Sequence, residues 1–173
     1  MNADGALFSA DFRAAERLAA QLMQVAGRAG RAQHKGRVLI QTRFPQHPLY
    51  QAVASHNYRH FATIAMTERA QAHLPPFTYL ALLRAESKQA ERLANFMADA
   101  AAAAMAVGET SVQVWDPVPP TLARKAGFER NQLMVQAHSR RALQGFLSAW
   151  LIAVRAMDAK GVKWVIDVDP IEV

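Results

Sequence analysis

Residues 77–108, FTYLALLRAESKQAERLANFMADAAAAAMAVG, change hydrophobic period in mid-course, and that change decides the fold. From Phe77 to Glu86 the apolar residues alternate. Phe77, Tyr79, Ala81 and Leu83 share one face of a strand, because successive side chains in a strand point to opposite sides. Ser87 then stands where a helix N-cap belongs. From residue 88 to 106 the apolar positions recur at helical spacing, with Ala90, Leu93, Met97, Ala100 and Ala104 on one stripe and Gly108 beyond the C-terminus. The alanine run 100 to 104 adds helix propensity and close packing. A strand feeding an amphipathic helix in this way is half of a split β-α-β arrangement.

The other half follows. Ser111 to Trp115 and Gln132 to Ala137 predict two more strands, joined by Pro117-Val118-Pro119-Pro120 and a basic loop from Leu122 to Gly127. Ser139 caps a second helix through Met157, apolar at Leu143, Phe146, Leu147, Trp150 and Val154. A last strand, Val162 to Val168, turns Val162, Trp164, Ile166 and Val168 inward and Lys163 and Asp167 outward. The order β-α-β-β-α-β over residues 75–173 predicts two helices on one face of a four-stranded antiparallel sheet, a ferredoxin-like α+β domain. That fold hosts many activities and selects none of them.

Residues 1–74 do not complete a fold by the same logic. Ser9 is the expected N-cap of a helix in which Phe12, Ala15, Leu18, Ala19, Leu22 and Ala26 recur on one side. Arg37 to Thr42 reads as a buried strand, Pro48 to Ala54 as a short helix, and Asn57 as the cap of a helix from about 58 to 73 that ends at Leu74-Pro75-Pro76. One strand and three helices cannot close a sheet, so this part is expected to be a piece of a larger domain.

Composition sets the limits. With 51% hydrophobic and 20% charged residues the chain can bury a core. The absence of cysteine excludes disulfides and thiolate zinc sites within these residues. No apolar run reaches membrane-spanning length, and MNADGALFSADF has neither a basic n-region nor an apolar core, which predicts a cytoplasmic protein without membrane contact. Twenty Lys and Arg against fourteen Asp and Glu give a net charge of +6, which favours a polyanionic partner.

Within the first part, QVAGRAGR at residues 24–31 places Gln24, Arg28 and Arg31 at i, i+4 and i+7, on one face of a helix end. Gly27 and Gly30 weaken a helix by about 1 kcal/mol each, which implies close backbone approach or a terminus. Guanidinium forks match phosphate oxygens; a solvated, Arg-rich helix end would carry the same residues. Arg124, Lys125, Phe128 and Arg130 form a second cluster, in which exposed cations and one aromatic ring can grip a nucleic-acid backbone and stack a base. His56 and His60 stand at i, i+4 without a third ligand nearby, which favours solvated histidines over a metal pair. Trp115, Trp150 and Trp164 are expected to pack in the core.

QVAGRAGR resembles the last ATPase motif of superfamily 2 helicases. The longer stretches NADGALFSADFRAAERLAAQLMQVAGRAGRA, QTRFPQHPL, LPPF and VKWVIDVDPIEV, in that order, resemble the primosomal protein N′ family of replication-restart helicases over nearly the whole chain. The resemblance implies that residues 1–74 are the C-terminal remnant of a RecA-like helicase lobe 2 and that residues 75–173 are the family's C-terminal domain. It implies an ATP-dependent 3′-to-5′ DNA helicase that recognises stalled or abandoned replication forks and initiates primosome assembly, in the bacterial cytoplasm and at the nucleoid. Gln24, Gly27, Arg28 and Arg31 would then line an ATP cleft, with Arg31 as arginine finger and Arg28 as a second γ-phosphate contact. The implied partners are forked and single-stranded DNA, other primosome proteins, and the acidic C-terminal tail of single-stranded DNA-binding protein, held by Arg140 and Gln144.

The sequence contains no GxxxxGK[ST] phosphate loop and no acidic magnesium motif. ATP and magnesium are therefore expected to act only in a longer protein, zinc only in an upstream cysteine-rich module, and the isolated chain is expected to lack ATPase activity. Two alternatives stay open: a standalone nucleic-acid-binding module, and a module that binds an acidic peptide without catalysis.

Overall fold

A computed structural model describes residues 4–9, 11–29 and 37–172. They divide after Ala72 into two compact units.

The first unit is helical. A 3₁₀ turn, Asp4–Ala6, precedes α1 (Ala14–Ala29), α2 (Pro48–Ala54) and α3 (Tyr58–Gln71). Asp11, rather than Ser9, supplies the group that starts α1: its carboxylate accepts the Arg13 N–H at 2.9 Å, and its carbonyl accepts the Ala14 N–H. Ser9 Oγ serves one turn earlier, accepting the Asp11 N–H. Pro48 opens α2, and the Asn57 side chain caps α3 by accepting the His60 N–H. Leu18, Ala19 and Leu22 of α1 close on Leu49, Tyr50, Ala52, Val53 and Phe61.

Residues 37–42 correct the predicted buried strand. They belong to no strand, and Leu39 is 81% exposed, while Ile40 rests against the helical cluster. A β-rich composition makes a strand only where a neighbouring strand accepts its backbone bonds, and the described residues offer none here. The segment is anchored instead by Asp4. Its carboxylate accepts Thr42 Oγ1–H at 2.5 Å, the Arg43 N–H at 2.9 Å and Tyr50 O–H at 3.0 Å. The Thr42 hydroxyl first, and the Arg43 N–H next, hold its pKa below the usual carboxylate range. That contribution to stability is present above the pKa of the unfolded carboxyl and is lost as pH falls through the lower folded value.

The second unit carries one antiparallel sheet. β1 (Tyr79–Ser87), α4 (Ala90–Ala106), β2 (Val112–Val114), β3 (Arg124–Lys125), β4 (Phe128–Ala137), α5 (Arg140–Ala156) and β5 (Val162–Val168) follow in the chain. The strand order is β2-β4-β1-β5, with the two-residue β3 paired to the start of β4 as a fifth strand. Ala81, Leu83 and Ala85 of β1 and Leu133, Val135 and Ala137 of β4 meet Leu93, Phe96, Met97 and Ala100 of α4 and Leu143, Phe146, Leu147 and Trp150 of α5 in one core. Both helices therefore cover the same face.

Several expectations shift at the margins. Phe77 is half exposed and precedes the strand, its N–H donating to the Leu74 carbonyl. Ser87 ends β1 rather than capping α4 directly: its Oγ accepts the Gln89 N–H at 3.1 Å and donates to the Gly161 carbonyl at 2.8 Å. Trp150 is fully buried, and Trp164 stacks on Phe96 with ring centroids 6.3 Å apart. Trp115 lies beyond the end of β2 and is 43% exposed, against the expectation of core packing. Val168, at the far end of β5, is likewise exposed. β4 begins four residues before the predicted strand, because Ala126 and Gly127, with φ of 51° and 80°, form a two-residue hairpin that folds β3 back on it.

Candidate nucleic-acid interface

Alternation in the strands sends the even-numbered residues of β1 and β4 to the face that α4 and α5 leave uncovered. Register then fixes their neighbours. Gln132, Arg84 and Val165 form one cross-strand row, and Arg130, Glu86 and Lys163 form the next. Arg84 meets the Asp167 carboxylate at 3.4 Å, and Lys163 Nζ lies 3.7 Å from Glu86. One step further, the ammonium groups of Lys163 and Lys88 lie 4.7 Å and 5.5 Å from the Phe128 ring centroid. A groove of about 310 Å³ opens among Arg84, Glu86, Pro120, Arg130, Gln132 and Lys163.

Of the four residues predicted to touch DNA, three share this end of the sheet. Lys125 pairs with Phe128 across the hairpin, and Arg130 stands two residues further on, its guanidinium donating to the Leu122 carbonyl at 3.3 Å. Arg124 pairs with Glu129 instead, at 3.3 Å, one residue out of phase with Lys125 and Phe128 and so on the opposite face. Glu129 therefore neutralises Arg124, while on the Lys125–Phe128–Arg130 side the neighbouring carboxylate is Glu86, across the sheet from Arg130. Sequence spacing does not single out Lys88 and Lys163, which join the site from elsewhere in the chain. Outward alternation flags Lys163, but only the register of β5 on β1 brings it beside Phe128.

Arg140 and Gln144 lie one turn apart at the start of α5, and both are exposed. Ser139 positions that turn by accepting the Ala142 N–H at 3.1 Å. The Arg140 guanidinium packs over Tyr79 at 5.1 Å and reaches the Asp169 carboxylate at 3.3 Å. An internal carboxylate thus already holds the group expected to receive one from a partner. Exposed ion pairs contribute about 0.2–1 kcal/mol. Asp169→Asn should therefore tighten binding of an acidic C-terminal peptide by up to about fivefold, measured by fluorescence anisotropy. Weaker or unchanged binding would remove Arg140 from that role.

In the first unit, Gln24 and Arg28 are exposed on α1, while Arg31 lies outside the described residues. Arg28 makes no ion pair or side-chain hydrogen bond among the described residues, so no carboxylate there competes for it. Gly27 sits in the last turn of α1, and a Cβ added to it meets nothing within 4 Å. A cavity of about 340 Å³ lies beside α1, lined by Ala26, Ile40, Thr42, Tyr50 and His56 among others; neither Gln24 nor Arg28 lines it. His56 has φ of 52° and precedes the Asn57 cap, so it shares no helical face with His60. Among the described residues no group of three or more His, Cys, Asp or Glu is placed to hold a metal ion, and no helix is long and apolar enough to cross a membrane.

Together, the sheet with two helices on one face and a cluster of cations on the other define a small α+β domain. The chain belongs to the family of the primosomal protein N C-terminal domain, whose model matches residues 70–171. It is 39% identical over 170 residues to the replication restart protein PriA of Haemophilus influenzae, covering 98% of this chain and 23% of that protein. It is 37% identical over 134 residues to the protein of the same name from Synechocystis, covering 78% and 16%, and 35% identical over 171 residues to that of Treponema pallidum, covering 99% and 26%. The chain thus spans about a quarter or less of the length of these relatives.

Proposed function

We propose that the chain is the part of a replication-restart helicase that follows the bulk of its motor, joining the last ATPase motif to a domain that binds DNA at abandoned forks. The observation that carries this reading is the family match over residues 70–171, together with relatives named replication restart protein PriA along nearly the whole chain. Residues 1–74 act as the remnant of helicase lobe 2, in which Gln24, Arg28 and Arg31 face the nucleotide. Residues 75–173 contact forked or single-stranded DNA through Lys125, Phe128 and Arg130, and hold the acidic tail of single-stranded DNA-binding protein at Arg140 and Gln144. ATP and magnesium serve the complete motor; this chain alone turns over no ATP.

The DNA-binding half of the reading is tested by titrating labelled forked DNA at several salt concentrations. Each phosphate contact contributes about 0.9 to the slope of log K against log salt. Replacing both Lys125 and Arg130 by alanine should therefore lower the slope by about 1.8, while Arg124→Ala changes it less because Glu129 already neutralises that charge. An unchanged slope in the double variant would reject this face as the DNA contact. An absence of any fork binding, with an acidic peptide still bound, would favour the peptide-binding module instead.

A further inference from the structure

We propose that the groove lined by Pro120, Arg130, Gln132, Lys163 and Val165 seats one unpaired nucleotide of a DNA strand, an assignment that rests on the DNA-binding reading and sharpens it. Size comes first. At about 310 Å³ the groove lies at the small end of ligand pockets, which run from about 300 to 1,000 Å³, so it admits one base with its sugar and no paired duplex.

Its walls divide by chemistry. Val165 gives an apolar floor, Pro120 a flat wall, and Gln132 carries an amide that can meet the polar edge of a heterocycle. Arg130 and Lys163 stand at the same groove and can take the adjoining phosphates. Arg130 makes no ion pair among the described residues, and neither does Lys88; Glu86 faces Lys163 at 3.7 Å, and Asp167 is engaged by Arg84.

Lys88 and Lys163 both approach the Phe128 ring. Their ammonium groups converge on a single ring, at 4.7 Å and 5.5 Å from its centroid, and only Lys163 has a carboxylate nearby. A phosphate bound at either ammonium supplies counter-charge there, which a neutral ligand does not. An apolar slot with an amide at its edge, lined by the cations Arg130 and Lys163, of which only Lys163 is ion-paired among the described residues, matches a phosphorylated planar heterocycle. A duplex presents its phosphates on the outside but no free base, and can use only the rim.

The test compares a blunt duplex with the same duplex carrying a single-stranded thymidine tail, each titrated with the 173-residue chain by anisotropy. Val165 is 54% exposed on β5, so it can be changed without opening the core. Val165→Gln, which extends a longer neutral side chain into the slot, should weaken binding of the tailed duplex by about fivefold or more and leave the blunt duplex unaffected. Val165→Thr, nearly isosteric, should keep the wild-type preference, and equal melting curves for the two variants exclude misfolding. Equal binding of both DNAs by the wild type, or a preference that Val165→Gln leaves intact, overturns the seat while DNA binding stands. Displacement of the tail by an equimolar amount of free thymidine monophosphate would reassign the groove to a small-molecule nucleotide and also overturn it. Binding of neither DNA removes the DNA-binding reading itself, and the seat with it.

Discussion

Arg31→Ala is expected to lower ATP turnover by about 10³-fold or more in a chimera that carries this chain in place of the matching 170 residues of the Haemophilus influenzae protein. The physical reason is charge. As the γ-phosphoryl group transfers, negative charge spreads over its oxygens, and a fixed guanidinium at that point stabilises the transition state more than the bound ground state. Arg31→Lys should recover little, because an ammonium is a compact point charge and cannot reproduce the planar two-pronged contact. Arg28→Ala should cost less, as a second contact on the same group, and Gln24→Ala should act mainly on KM if it positions the nucleotide. The chain by itself should give no turnover, since it has neither a phosphate loop nor an acidic metal motif. A chimera whose rate of ATP hydrolysis is the same before and after Arg31→Ala would refute the assignment of the arginine motif. So would turnover by the isolated chain.

The sheet-and-helix unit is legible in the sequence because its signals are local and agree with each other. Leu93, Met97, Ala100 and Ala104 keep helical spacing beside a strand of alternating residues and are buried as expected, whereas Ala90, at the first position of α4, is exposed. β5 has the predicted bounds, and Asn57 and Ser139 cap the helices they precede. What escapes depends on partners far away in sequence. Arg37–Thr42 has the composition of a strand but no neighbour to pair with among the described residues. The hairpin at Ala126-Gly127 reads as a loop because alanine rarely takes a positive φ, and its presence in that turn hides a signal that Asn-Gly would give plainly. The site shows the same limit more sharply. Proximity in sequence groups Arg124, Lys125 and Arg130, yet Arg124 turns to the opposite face, while Lys88 and Lys163 arrive from a separate turn and a separate strand. Which side chains share a face is decided by pairing register, and a one-residue slip reverses every side.

Trp150→Ala should destabilise the second unit by about 3–5 kcal/mol, the cost of removing a large aromatic side chain from a packed core. Trp150 is fully buried on α5, tilted against Phe146 at 5.6 Å, and its Nε1–H donates to the Ala100 carbonyl of α4 at 2.9 Å. Domain stability totals about 5–15 kcal/mol, so this one substitution removes a large share of it. For a unit of this size the Tm should fall by about 4–8 °C for each kcal/mol lost. Trp150→Phe separates the two sources of that stability. It keeps most of the buried ring but deletes the donor, and the Ala100 carbonyl retains the bond from its own helix; the loss should therefore be about 1–2 kcal/mol. Equal losses in the two variants, measured by urea unfolding, would mean that the α4–α5 hydrogen bond and not cavity formation dominates. The helical unit should keep its own transition, since its cluster contains no residue of α4 or α5. DNA affinity gives the final discrimination. Trp150 lies on the covered face, away from Lys125, Phe128 and Arg130, so Trp150→Phe should leave fork binding and its salt slope unchanged wherever the unit is folded. A lowered slope at full folding would mean that packing of α5 sets the register of the cationic face, and the division of labour between the two faces of the sheet would fail.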